Sequence, residues 1–82
     1  LNEEYKITRA FFADMDSNDD GQRVDALTKA QRTWIAFRDG ECALEYSVWD
    51  SGSARSLAGA DCVMSLTAER TTRIVELREL ME

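Results

Sequence analysis

Histidine and proline are absent from this chain of 82 residues, and glycine occurs only four times. Without histidine there is no Ser-His-Asp arrangement, and the commonest nitrogen ligand for a metal is missing. Without proline, and with only Gly21, Gly40, Gly52 and Gly59 to bend the chain, the many tight turns of an all-β sandwich have little to form from. Positive charge is also scarce: ten Lys and Arg face sixteen Asp and Glu, for a net charge of −6. That balance removes the basic stripe a nucleic-acid binder needs and disfavours an anionic membrane surface. No apolar run approaches the roughly 20 residues of a transmembrane helix. Nucleic acid and membrane insertion are therefore not expected, and a basic protein partner is permitted.

Cysteine is nearly absent too, occurring only as Cys42 and Cys62. Two cysteines are compatible with a disulfide, two free thiols or half a metal site. A zinc site takes about four ligands, a redox CxxC is lacking, and a short acidic chain favours the disulfide. A staple matters at this size, because so short a chain buries only about 60–65% of its unfolded surface.

What the sequence does contain favours helices: aliphatic residues, Ala, Glu and Arg in periodic order. The first helix is expected from about Asn2 to Met15, with Leu1, Tyr5, Thr8, Phe12 and Met15 on one face and Phe11 widening it. Asn2 suits an N-cap there, and Glu3 and Glu4 suit the first turn. The segment Asp16 to Gly21 breaks the pattern and reads as a loop. The second helix is expected from about Gln22 to Val48, with Leu27, Ala30, Trp34, Phe37, Glu41, Leu44 and Val48 as its inner face. After a turn at Trp49 to Ser53, a third helix starts at Ser53 or restarts at Asp61, since Gly59 weakens the interval. It continues to about Met81 through Val63, Leu66, Arg70, Ile74 and Leu77.

The fold class is thus all-α: a three-helix antiparallel bundle whose long helix 2–helix 3 hairpin carries one disulfide, all within a single domain. Cys42 precedes Ser51 by nine residues and Cys62 follows it by eleven, so the two stand at almost the same height on the hairpin. The first helix is half as long as the second and covers only the end of the hairpin away from Gly52.

Several stretches align in order with a known family: LNEEY at Leu1 to Tyr5, ALTKAQRTWIAFRDGEC at Ala26 to Cys42, the Gly52-Ser53 turn, Cys62, and LTAERTTRIVEL at Leu66 to Leu77. Together they resemble the small secreted bacterial proteins of the lysozyme inhibitor LprI-like family, N-terminal domain. The resemblance implies a helical fold, export to the periplasm or beyond, and a disulfide between Cys42 and Cys62. It also implies a non-enzymatic protein with a protein partner, for which a basic c-type lysozyme is the candidate. Family members carry a further cysteine-containing helical segment upstream, so such a segment of the full-length protein is expected to lie outside these residues. The alternative reading is a structural or self-associating envelope module, including a homodimer.

The chemistry-bearing candidates each have a plainer reading. Asp16-x-Asn18-x-Asp20-Gly21 reproduces the first half of a calcium loop, but the closing acidic position is Leu27, so it reads as a solvated turn with no metal. The carboxylate pairs Asp19/Asp20, Glu3/Glu4 and Glu41/Glu45 arise readily by chance among sixteen acids, and neither catalysis nor a cofactor is expected. Arg38 and Arg70 read as structural arginines, pairing with Glu41, Glu45 or Asp39. Ser51, Gly52, Ser53 and Arg55 form a small polar tip that reads first as a helix-hairpin turn with Ser53 as N-cap; as a stapled loop it could enter an enzyme cleft, with Trp49 beside it as a contact residue. Asp14, Asp16, Asp19, Asp20 and Asp25 are expected to share one pole with Glu76, Glu79 and Glu82, a charge field suited to a basic partner.

Overall fold

A computed structural model describes residues 1–18, 21–49 and 52–82. Among them are three α-helices and no strand: α1 over Asn2–Met15, α2 over Gln22–Val48 and α3 over Ser53–Leu80. A 3-10 turn at Asp16–Asn18 follows α1. The helical segments match those read from periodicity, and the molecule is a rod of 54 × 19 × 16 Å.

The capping residues, unlike the bounds, depart from expectation. Leu1 holds the N-cap position of α1 and no side chain caps it, so Asn2 is the first helical residue instead. The Tyr5 amide closes the first turn on the Leu1 carbonyl at 2.8 Å. Ser53 likewise begins α3 rather than capping it, and Gly52 takes the cap with φ 81°, a backbone conformation that favours glycine. Gly21 precedes α2 in the left-handed region at φ 75°. No side chain adjacent to α2 caps it, but Asp16 does so from across the turn. Its Oδ2 accepts the amides of Arg23 and Val24 at 3.1 and 3.0 Å. Two otherwise orphaned helix donors are satisfied in this way.

α2 and α3 run antiparallel, as three contacts at successive heights show. Arg55 meets Tyr46, Cys42 bonds Cys62, and Arg70 meets Gln31. The Cys42–Cys62 disulfide joins the helices with a Cα–Cα distance of 5.5 Å. α1 packs against both helices at the other end. There Thr8 and Ile74 are fully buried, at 0% exposure each, and Leu27 of α2 is buried too. Phe11, Phe12, Met15, Trp34 and Leu77 are half-buried. Arg78 ties α1 to α3: its Nη1 donates to Glu4 Oε2 at 3.0 Å and to Thr8 Oγ1 at 3.1 Å.

The expected inner face of α2 holds only at Leu27 and Trp34 in its first half. Leu27 is buried and Trp34 half-buried, but Ala30 between them is exposed, and Phe37, Leu44 and Val48 are 51%, 59% and 70% exposed. The disulfide explains the change. Cys42 must face α3 to bond Cys62, and at about 100° per residue Leu44 then lies almost opposite, with Phe37 and Val48 also turned away. α1, at 14 residues against 27 for α2, does not extend far enough to cover them. α3 is continuous through Gly59, which is a point of close approach rather than a break. A Cβ built there would stand 3.3 Å from the Tyr46 ring.

Candidate functional site

The half of the hairpin beyond α1 is the part of the molecule with unspent surface. Its tip is set by Tyr46 and Arg55. The Arg55 guanidinium lies 4.5 Å over the Tyr46 ring, and its Nε donates to the Tyr46 carbonyl at 3.3 Å. That contact folds the Arg55 side chain back across the hairpin. Trp49 follows the end of α2 in an extended conformation, with its amide 3.4 Å from the Tyr46 carbonyl and its side chain exposed. Gly52 and Ser53 are exposed beside it, whereas Ser51 lies outside the described residues.

Below the tip, a shallow groove of about 280 Å³ runs along the disulfide, lined by Glu41, Glu45, Asp61, Cys62, Ser65 and Leu66. None of its three carboxylates has an ion-pair partner among the described residues.

Arg38 and Arg70 converge on Trp34 instead. Arg38 bonds Asp39 through Nε and Nη2 at 3.1 and 3.0 Å, and its guanidinium lies 5.1 Å from the Trp34 ring centre. Arg70 reaches the same ring from α3 at 5.9 Å and donates to Gln31 Oε1 at 3.0 Å. Partial burial, followed by the charge of Arg73, draws the Arg70 pKa down from its ordinary value. An arginine so placed still carries its charge at physiological pH. Arg70 thus ties α3 to α2 through Gln31 and Trp34.

At the opposite pole, several acids are neutralised locally. Glu76 pairs with Arg73 at 3.7 Å and Glu82 with Arg78 at 4.0 Å. Asp16 is buried, with Arg23 Nη1 donating to its Oδ1 at 3.1 Å. Burial alone would raise its pKa; the Val24 amide and the side chain and amide of Arg23 outweigh that and hold the carboxyl below its usual range. Both Asp16 oxygens are thus taken up by the start of α2. Asp19 and Asp20 lie outside the described residues, and among those described no group of three or more acids or cysteines is placed to hold a metal ion.

Periodicity gave no hint of Arg78, Thr8 or Gln31 as polar links between helices. Each sits on a helix face that sequence treats as either apolar or solvated, and only packing brings its partner within reach. For Asp16 the acidic spacing was visible, but its target lies seven and eight residues on, farther than any local capping pattern reaches.

The fold and this surface define a small all-helical protein, stapled by one disulfide and bearing an uncovered hairpin end. Residues 1–74 match the family model described as lysozyme inhibitor LprI, and the chain belongs to that family. It is also 44% identical over 59 residues to an uncharacterised protein of Rhizobium meliloti (strain 1021), a match covering 72% of this chain. The matched segment spans 40% of that relative's own length. No solved structure matches the chain.

Proposed function

We propose that this chain is a non-enzymatic, secreted or periplasmic inhibitor that binds a basic c-type lysozyme by direct protein contact. The observation that carries the reading is membership of the lysozyme inhibitor family across residues 1–74. The net charge of −6 favours encounter with a strongly basic enzyme. No helix among the described residues is long and apolar enough to cross a membrane, which suits contact in solution. Charge speeds approach but does not block a cleft, so inhibition needs a shaped element as well. The hairpin tip supplies one: Trp49, Gly52 and Ser53 project beyond the disulfide, with Arg55 stiffening them from behind through Tyr46.

The test is lysis of peptidoglycan by a c-type lysozyme at low salt and at about 0.15 M, where the screening length is roughly 8 Å. Wild type, Trp49→Ser and Arg55→Ala are compared. Inhibition that survives physiological salt and weakens about tenfold in Trp49→Ser is expected, as for a buried aromatic contact. Arg55→Ala should weaken it less, by loosening the tip. Inhibition that disappears at physiological salt reduces the interaction to charge attraction, and no inhibition at either salt overturns the reading.

A further inference from the structure

We propose that the solvent-facing side of α2 from Phe37 to Val48 is a docking face for a cationic amphipathic helix of another protein. Phe37, Glu41, Leu44 and Val48 follow one another at i, i+4, i+7 and i+11, so they form one row along the helix. The row lies away from the side that Cys42 turns toward α3, and all four residues are exposed. Three large apolar side chains in one exposed row are unusual on a helix whose other exposed positions are mostly polar or small. They repeat the spacing with which one helix reads another.

Charge selects the occupant. Glu41 sits inside the row and Glu45 beside it, with Asp61 across the groove, and none has an ion-pair partner among the described residues. A second copy docked through the same row would bring Glu41 and Glu45 against their own kind, where like charges oppose association. A helix carrying Leu or Phe on one face and Lys or Arg on its flanks satisfies both features. Its apolar face covers Phe37, Leu44 and Val48, while its flanking cations meet Glu41, Glu45 and Asp61. Such a partner would supply a third helix to the half of the hairpin that α1 does not reach.

This inference rests on the reading of the chain as a protein-binding module, but not on lysozyme as the partner. It is tested without the enzyme, so the lysis assay and this one fail separately. The probe is a synthetic Leu/Lys amphipathic peptide of about four helical turns, titrated into oxidised, ¹⁵N-labelled protein at physiological salt. Amide shifts concentrated between residues 37 and 48 are expected. Leu44→Ser and the double variant Glu41→Gln/Glu45→Gln should each weaken binding about tenfold or more, as loss of a buried leucine or of close charge partners does. Their melting temperatures should stay at the wild-type value, because these side chains are exposed in the free protein. Glu76→Gln/Glu79→Gln at the far pole should bind as wild type.

Equal affinity across all variants, or equal binding of a sequence-scrambled, non-amphipathic peptide, overturns the proposal in favour of diffuse charge attraction. Sedimentation showing a dimer that Leu44→Ser dissolves overturns it in favour of a second copy.

Discussion

Asp16 fixes the start of a helix from outside it. Its carboxylate is buried, accepts two amides from the first turn of α2 and is met by Arg23. Since its folded pKa is lowered, it stabilises the fold fully above the unfolded value of about 3.9, and that contribution is lost as pH falls through the lower folded value. Thermal melts from about pH 7 down to about pH 2 should show an acid-side decline that is shallower in Asp16→Asn. The variant should also melt several degrees lower than wild type near neutrality, because an amide has one accepting oxygen and cannot both take the two helix amides and pair with Arg23. Equal melting temperatures at neutrality would remove Asp16 from this role. Gly40 makes the opposite case. It lies in the interior of α2, is exposed, and a Cβ there meets nothing within 4 Å. Gly40→Ala should therefore stabilise by about 1 kcal/mol through helix propensity, raising the melting temperature by roughly 4–8 °C. At Gly59 the same substitution meets the Tyr46 ring at 3.3 Å, so its gain should be largely offset.

At the scale of elements, the hairpin of α2 and α3 has two kinds of fastening. Toward α1 it is held by packing around Ile74 and Leu27, with Arg70, Arg38 and Trp34 bracing the middle. Beyond that point the disulfide and the Tyr46–Arg55 contact do most of the holding. Removing the staple with Cys42→Ser/Cys62→Ser should cost about 3 kcal/mol for a loop of this length in the chain-entropy model. The loss should be uneven. Hydrogen exchange should accelerate first in the amides flanking Trp49 and Gly52, and least around Thr8 and Ile74. Exchange that rises uniformly along both helices would show that the two ends unfold as one unit.

Across the whole molecule, burial is graded along a rod 54 Å long. One end has three helices and the fully buried pair Thr8 and Ile74, while the other has two helices and exposed Leu44, Val48, Trp49, Leu57 and Met64. Charge is graded as well. Acids near α1 are partly matched, as in Glu4 with Arg78, Asp16 with Arg23 and Glu76 with Arg73. Those along the disulfide groove have no such partners among the described residues. The groove thus leaves Glu41, Glu45 and Asp61 available to a partner. Both functional readings place their contact at that second end, one at the tip and one along α2.

Helix identity and extent were legible in the residues alone. Periodicity, the Asp16 to Gly21 break and the Gly52 turn act over a few residues, so local sequence determines where α1, α2 and α3 begin and end. The disulfide was legible for a related reason: Cys42 and Cys62 lie at matching distances from a turn, and an antiparallel hairpin makes equal distance into equal height. Which side of α2 faces inward was not. The row from Leu27 to Val48 is apolar but for Glu41, yet the disulfide orients the second half of the helix, and α1 covers only the first. The same limit applies to Asp16, whose partners become neighbours only after the chain has turned. Local sequence set the elements because their energetics are local; tertiary structure alone decided which apolar and acidic side chains remained exposed, because burial depends on what the rest of the chain is long enough to reach.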